Sequence, residues 1–503
     1  MMNPTEREPM SNLIEASQLR KRNTYRSTLS QVLVTLAQSL LLLDLGMMIA
    51  VPTVLIGFLH NAKDGLSLDD SQSSWFGSIM LLCQPLGSVL SGYAQGVLGR
   101  KKSMLIVNIP HLAAWYMLYS ARDVRTLYAA SFVMGIGMGF LEAPTLSYIG
   151  EISEPRIRGI LATYTNSNVV IGHLVEFIFG YFFSWRRAML ISCLIPIFSI
   201  LAILLIPESP IWLLTRGRKE EAMVSLRWLR GWVSADDVRA EFDKMEMDCI
   251  ASKNEYTQFW ESRIKKSTGF IGVPNDEFVV KTKPGFIDAL RDLLRPAILK
   301  PIRLVVTYFF FYHCASLTAM RPYMIEVFLR MKVPLSSYVL TVISAVLQCS
   351  GAFVCFCLVH LIGKRALSLI SMTGCTACCL LMGIYTYGNY TLPIVALILF
   401  CSLYFCINLG ISPIPWLLIS EVFPTRGRGV ASGISAASFY VIAFFVSKTW
   451  LNLEHLIGLH GCLAVYGVLA SFGIVFIYFC LPETENKTLA EIETYFNSKS
   501  SNK

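Results

Sequence analysis

Long runs of apolar residues constrain this chain more than any other feature. A membrane-spanning helix needs about 20 mainly apolar residues, and roughly twelve runs meet that requirement. Hydrophobic residues make up 54% of the 503 residues and charged residues only 15%, a balance unlike that of a soluble domain. The sequence therefore predicts an all-α membrane protein. The predicted spans are 30–58, 75–98, 104–121, 127–150, 159–183, 188–206, 302–327, 337–362, 366–387, 392–419, 430–452 and 460–481.

The positions of lysine and arginine predict how the chain is oriented. Residues 1–29 are polar and basic, so we expect no cleaved signal peptide and a cytoplasmic N-terminus. Short basic loops recur on that same side, near residues 100–102, 156–158, 364–365 and 426–428. Most of the formal net charge of +9 is therefore a topology signal. Charges divided among short loops also argue against a nucleic-acid partner.

Three short motifs occur twice along the chain, in the same order. The pairs are EISEPRIRG at 151–159 with EVFPTRGRG at 421–429, LGRK at 98–101 with IGKR at 362–365, and PES at 207–209 with PET at 482–484. Repetition of this kind is typical of transporters built from two parallel halves. The predicted units are a cytoplasmic segment 1–29, six-helix halves 30–206 and 301–481, a cytoplasmic linker with amphipathic helices at 207–300, and a cytoplasmic tail 482–503.

The stretch 412–429, SPIPWLLISEVFPTRGRG, predicts a break inside an apolar span. Pro413 and Pro415 must interrupt the helix. In lipid such a break survives only where protein or a water-filled cavity satisfies the freed carbonyl groups. Trp416 follows the break, and charged residues from Glu421 onward mark the end of the span. A broken helix with an aromatic ring inside it and charges at its mouth indicates a gated path for a solute.

This stretch resembles the tenth-helix signature of the sugar porter family of the major facilitator superfamily, with Ser412 in place of a glycine. PESPIWLL at 207–214 and PETENKT at 482–488 resemble two further motifs of that family. The resemblance implies a major facilitator fold, with twelve transmembrane helices in two six-helix halves and transport by alternating access. LEAP at 141–144 and the pair Trp185-Arg186 look most like insect facilitated trehalose transporter relatives.

The resemblance also implies which residues contact the solute. Sugar porters bind sugar hydroxyl groups with amides, which both donate and accept hydrogen bonds. In the seventh span those amides are replaced by YHCASLT at 312–318, so we expect either an altered choice of substrate or weak activity. The implied substrate-binding residues are Asn166, Tyr312, His313, Thr318, Gln348, Asn408, Trp416 and Tyr440.

Charged residues of the repeated motifs are expected to form a cytoplasmic gate. Acids and bases there would pair and hold the two halves closed inside, until solute occupancy shifts the balance towards opening. The alternative is that these charges only set the topology. The predicted gate residues are Arg100, Lys101, Glu151, Arg158, Glu208, Lys364, Arg365, Glu421, Arg428 and Glu483.

Asp44 raises the question of energy coupling, because it lies within the first span. A charge at mid-bilayer costs on the order of 2.5–3.5 kcal/mol on insertion scales, so such an acid is rarely idle. Proton-coupled sugar porters pair an Asp in this span with an Arg in the fourth span, where this chain has Ser131. Without that cation, desolvation favours a permanently neutral acid and facilitated transport. Proton symport through Asp44 is the alternative.

We therefore expect facilitated (uniport) transport of a sugar, a hexose or a disaccharide such as trehalose, and no enzymatic activity. Scattered histidines and cysteines inside apolar spans predict no metal site and no cofactor. Two rival hypotheses are a sugar sensor that does not transport and a carrier of a different solute, such as an organic ion attracted by Arg321, Glu142 or Glu176. The expected partners are the sugar and the lipid bilayer. We expect a monomer in the plasma membrane with both ends cytoplasmic.

The predicted topology makes Asn389 the accessible glycosylation site. Asn389-Tyr-Thr391 falls in an outer loop and Asn486-Lys-Thr488 in the cytoplasmic tail, so N-glycan is expected on Asn389 alone. Peptide mapping after glycosidase treatment, with Asn389→Gln as the control for the gel shift, checks this. A glycan on Asn486 would overturn the topology.

Overall fold

The computed structural model describes residues 10–63, 65–250, 296–331, 333–388, 392–423 and 428–484. The predicted glycosylation site Asn389 lies outside these residues. Arg158, Asn166, Glu421 and Arg428 lie in described helices, but their side chains are outside the described set.

The described residues are almost entirely helical, with one isolated β-bridge between His60 and Leu68. The prediction of an all-α chain is therefore confirmed for this part of the protein. The helices are α1 (Met10–Leu59), α2 (Asp70–Leu98), α3 (Arg100–Ser120), α4 (Val124–Ile152), α5 (Pro155–Phe182), α6 (Trp185–Ser192), α7 (Leu194–Leu205), α8 (Pro210–Thr215), α9 (Lys219–Leu229), α10 (235–250), α11 (Pro296–Ala315), α12 (Met324–Arg330), α13 (Ser337–Ile362), α14 (Lys364–Tyr387), α15 (Pro393–Cys406), α16 (Pro413–Val422) and α17 (Arg428–Cys480).

Eight helical stretches among the described residues are long and apolar enough to cross a membrane. The remaining predicted spans fall on helices that are more polar, on a shorter apolar stretch, or on a helix shared with another span. Helices α2 and α3 also cover predicted spans but are more polar, and α5 contributes the shorter apolar stretch Ser167–Phe182. Helix α17 covers two predicted spans at once.

Helix α17 is folded back at Gly458. This residue has φ +73°, a left-handed conformation that a glycine adopts without the steric penalty of a Cβ. In a straight helix Trp450 and Tyr466 would lie about 24 Å apart along the axis, but their rings stack with centroids 5.8 Å apart. The two arms of α17 therefore run side by side.

Small residues let the helices pack at close range. Gly46 on α1 faces Gly172 on α5, and a Cβ on Gly46 would lie 1.9 Å from the backbone oxygen of Val169. A Cβ on Gly172 would likewise lie 2.1 Å from the backbone oxygen of Leu43. Lipid tails do not drive apolar helices together, so close backbone contact of this kind holds such bundles.

Two long helical stretches are interrupted within the bundle. Between α11 and α12, Leu317 adopts a left-handed conformation at φ +47° and a 3₁₀ turn follows at Thr318–Tyr323. Between α15 and α16, residues Ile407–Ile411 form a π-helical turn. Ser371 compensates this second break, because its hydroxyl donates to the carbonyl of Cys406 at 2.6 Å and accepts from the amide of Ile411 at 2.9 Å.

Helices α8, α9 and α10 form a small apolar core of their own. Val238 and Phe242 on α10 pack with Trp212, Leu213 and other buried residues of α8 and α9. Arg230, after α9, donates to the carbonyl of Ile152 at 3.2 Å. These short helices are thus tied to the end of α4.

A cluster of charged side chains joins the end of α1 to α2, α12 and α17 at the end of the bundle where α1 stops and α2 starts. His60 lies 2.8 Å from Asp70 at the start of α2 and 3.1 Å from Glu326 on α12. In addition, Arg330 donates to both Glu326 and Glu454. His455 lies 3.1 Å from Asp70. The carboxylates of Glu326 and Asp70 raise the pKa of His60 from its ordinary 6.5, against the lowering caused by partial burial.

We expect His60→Gln to lower the Tm of the purified protein more at about pH 5.5 than at about pH 8.5. Because the pKa of His60 is raised in the folded state, its ion pairs contribute fully below 6.5. That contribution is lost as the pH rises through the raised pKa. Scanning fluorimetry at both pH values measures the difference. His460→Gln is the matched control, since His460 packs on Tyr387, and an equal loss at both pH values for His60→Gln would contradict the ion-pair assignment.

Candidate functional site

A buried polar cavity lies where α1 and α5 meet the broken segment after α11 and the facing surfaces of α12, α13 and α15. It has room for roughly one water molecule, so a larger solute requires the lining helices to move apart. The lining residues are Ala50, His173, Phe177, Arg321, Met324, Gln348 and Tyr404.

Two predicted amides are buried on neighbouring elements, the helix α13 and the π-helical turn. Gln348 lines the cavity directly and is 5% exposed. Asn408 lies in the π-helical turn and is equally buried. A Cβ on Gly351, one turn after Gln348, would come 3.4 Å from the Cβ of Asn408. Amides can pair with hydroxyl groups both as donors and as acceptors.

Most of the other predicted substrate-binding residues gather around the ring of Phe439, and we call this group the aromatic cluster. Edge-on and offset ring contacts at such distances are the favoured geometries. The ring centroids lie 4.5 Å (His313), 4.9 Å (Phe309), 5.1 Å (Trp416), 5.2 Å (Tyr440) and 5.8 Å (Tyr312) from that of Phe439. Trp416 follows the helix break and is half-buried. Its ring centroid also lies 5.3 Å from that of Phe309.

The polar atoms of His313 and Tyr440 in the aromatic cluster are engaged within the protein in this conformation. The two ring nitrogens of His313 lie 3.2 Å from the hydroxyl of Thr318 and 3.1 Å from the carbonyl of Phe439. The hydroxyl of Tyr440 donates to the carboxylate of Glu142 on α4. This bond connects α17 to α4 across the interior of the bundle.

Asp44 has two partners that sequence reasoning missed. Its carboxylate lies 2.6 Å from Nδ1 of His111 and accepts from Nε1 of Trp115 at 2.8 Å, and all three residues are fully buried. The imidazole of His111 has room because residue 137 is a glycine. A Cβ at that position would lie only 2.8 Å from Nε2 of His111. The signal available in the sequence was a histidine inside the apolar third span. Because it lies 67 residues from Asp44, the local pattern gave no indication of the contact.

Two of the predicted gate acids stabilise the first turns of helices. Glu208 accepts from the backbone amides of Arg100 and Lys101 at 3.0 and 3.1 Å, at the start of α3. Glu483 accepts from the backbone amides of Lys364 and Arg365 at 3.1 and 3.0 Å, at the start of α14. Negative charge at a helix N-terminus satisfies free amides and complements the helix dipole.

The turn before each of these helices needs a glycine. Gly99 and Gly363 have φ of +98° and +89°. A Cβ on Gly99 would lie 2.4 Å from the carboxylate of Glu208, and one on Gly363 would lie 2.6 Å from the carboxylate of Glu483. The twofold occurrence of Gly followed by basic residues therefore has a structural reason, which is the approach of an acid to the helix start.

A third predicted gate acid forms an ion pair. Glu151 at the end of α4 lies 2.6 Å from the guanidinium of Arg100 and also accepts from the hydroxyl of Ser209. Lys101 donates to the carbonyl of Leu204 at 2.9 Å. These contacts tie α3, α4 and the segment after α7 together at one end of the bundle.

Several insect proteins named facilitated trehalose transporter Tret1 are similar to this chain. The protein from Polypedilum vanderplanki is 26% identical over 474 residues, which cover 92% of this chain and 87% of the relative. The protein from Apis mellifera ligustica is 26% identical over 490 residues, which cover 95% and 90%.

The solved structures that resemble this chain include XylE, described as a proton:xylose symporter of the major facilitator superfamily. XylE bound to 6-bromo-6-deoxy-D-glucose superposes with a TM-score of 0.70 at 20% identity, covering 93% of this chain and 100% of the other. The inward-open form from E. coli gives 0.69 at 21% identity, covering 92% and 99%. The fold is therefore that of the major facilitator proteins.

The family described as "Sugar (and other) transporter" matches residues 25–273 and 281–496 of this chain. This match covers nearly the whole sequence and confirms the predicted resemblance to sugar porters. The chain belongs to the sugar transporter family.

Proposed function

We propose that this protein carries a sugar across the plasma membrane by facilitated, downhill transport. The observation that carries the proposal is a buried cavity inside the helical bundle, lined by Arg321 from the first helix break and by His173 and Gln348. Non-helical backbone at membrane depth is tolerated where it lines a cavity or is buried in protein. The names of the insect relatives support a sugar such as trehalose or a hexose and facilitated movement.

We further propose the arrangement that alternating access requires. Twelve transmembrane helices form two six-helix halves, 30–206 and 301–481, with a cytoplasmic linker at 207–300. Both ends, 1–29 and 482–503, are cytoplasmic, and the protein works as a monomer without a cofactor. The matching roles of Glu208 and Glu483 at two helix starts support the twofold repetition.

In the proposed cycle, the His60 cluster is a latch between the two halves at one end of the bundle, and the charged helix ends border the predicted gate at the other. At one end the His60 cluster ties α1 and α2 to α12. At the other, Glu151, Glu208 and Glu483 stabilise the helix ends that border the predicted gate. A solute that binds more tightly to one conformation shifts the population towards it.

Proton-coupled uptake is a second candidate, and the contact between Asp44 and His111 favours it. A symporter needs a group that exchanges a proton as the solute binds. The buried imidazole of His111 supplies a partner that can stabilise a charged carboxylate on Asp44. In this second candidate, His111 on α3 takes the role of the arginine that is missing at Ser131.

We expect Trp416→Ala to reduce sugar uptake per folded molecule about tenfold, roughly the effect of removing a central aromatic contact. The ring is half-buried beside the helix break, where it can cover a solute. Uptake in proteoliposomes, normalised to monodisperse protein, is the measurement. Trp232→Ala is the matched control, because Trp232 is 50% exposed and packs on Trp228 outside the bundle. Unchanged uptake in Trp416→Ala would show that Trp416 only packs.

We expect no uphill accumulation in proteoliposomes under an acid-outside gradient, with Asp44→Asn retaining most uptake. Asparagine keeps one acceptor for His111 or Trp115 while removing the exchangeable proton. His111→Gln is tested in parallel, because symport requires both members of the pair. Accumulation that disappears in both variants would replace facilitated transport by proton symport.

A further inference from the structure

Arg321 brings a guanidinium to the buried cavity. It is half-buried and lines the cavity together with His173 and Gln348. Among the described residues no carboxylate lies within ion-pair distance of Arg321. The ring nitrogens of His173, which is 7% exposed, also have no hydrogen-bond partner there. Unpaired charge inside a membrane protein is costly and points to a ligand.

The backbone around Arg321 is held firmly in place. The hydroxyl of Thr53 on α1 donates to the carbonyl of Arg321 at 2.8 Å. The next residue, Pro322, packs against α2, where a Cβ on Gly77 would lie 3.2 Å from it. The 3₁₀ turn therefore presents Arg321 from a fixed position between α1 and α2.

The acids that could have neutralised Arg321 form no ion pair with it in the described part of the chain. Glu326, five residues on, contacts His60 and Arg330. Glu176, three residues after His173, accepts from the hydroxyl of Ser192 at 2.9 Å. Asp44 is bound by His111 and Trp115. The negative charge that would pair with Arg321 therefore has to come from a solute.

We propose that the carried sugar bears a carboxylate and that Arg321 binds this group in the cavity. The inference rests on the proposed transport function and names the substrate class of the same site. The guanidinium is a planar fork that pairs with a carboxylate through two parallel hydrogen bonds. Gln348 and His173 then lie beside the bound group, where they can hydrogen-bond to sugar hydroxyls.

A carboxylate fits this site better than a phosphate. The site offers one fixed cation, which a single negative charge neutralises. A phosphate monoester would bring close to two negative charges into a small cavity inside an apolar bundle. The second charge would meet no cation on the described cavity lining, of which Arg321 is the charged member.

The test compares two sugars that differ only at C6. Full-length protein is reconstituted in proteoliposomes, and uptake of labelled D-glucuronate and of labelled D-glucose is measured, each with the other as competitor. D-glucose 6-phosphate is included as a third competitor. We expect D-glucuronate to be preferred over D-glucose by about tenfold or more, as charge-assisted hydrogen bonds between a guanidinium and a carboxylate predict.

Variants at Arg321 identify the source of this preference. Arg321→Gln removes the charge and should abolish the preference while D-glucose uptake persists. Arg321→Lys keeps the charge without the planar fork and should retain part of the preference for D-glucuronate. This variant keeps the test valid if Arg321→Gln does not fold. Arg125→Gln is the matched control, because it removes one positive charge from an exposed residue outside the cavity.

The outcomes separate the two proposals. Uptake of D-glucose without competition by D-glucuronate would overturn the carboxylate inference and leave sugar transport standing. A preference for D-glucuronate that survives in Arg321→Gln would overturn the role of Arg321, and stronger competition by D-glucose 6-phosphate would overturn the choice of carboxylate. Uptake of neither sugar would overturn the proposed function and the inference together.

Discussion

The absence of water from the bilayer core is the constraint on which the rest of this structure depends. Every backbone amide and carbonyl at that depth must find its partner within the protein, and unbroken helices are the simplest way to provide one. The exceptions in the described part of the chain, at Leu317 and at Ile407–Ile411, are therefore informative. Ser371 compensates the second break with two hydrogen bonds. The first break supplies Arg321 to the cavity lining.

The sequence pattern predicted the helical fold because each span carries its own signal. Apolar length identifies a span without knowledge of its neighbours, and Gly99 and Gly363 could be matched through their repeated motifs. Boundaries were less predictable, as the helix break near Pro413 shows. Proline lacks an amide donor and crowds the carbonyl four residues earlier, so the disturbance falls on Ile407–Ile411 and α16 starts at Pro413 itself.

The contacts of the candidate site were harder to predict, because they join residues that are distant in the chain. The expectation that Asp44 lacks a cationic partner considered lysine and arginine of the first half but not His111. The grouping of Tyr312, His313 and Trp416 around Phe439 likewise depends on how α11, α16 and α17 pack. No periodicity within a single helix specifies such packing.

The altered seventh span now has a physical interpretation. The resemblance to sugar porters implies amides in this span. Here His313 instead contacts the hydroxyl of Thr318 and the backbone carbonyl of Phe439. His173, whose ring nitrogens have no partner among the described residues, lies instead on the cavity together with Arg321. Unsatisfied polar groups raise the energy of the empty closed state, and a solute that satisfies them lowers it. Their position at the junction of α1, α5 and the segment after α11 therefore couples solute binding to closure of the helices around it.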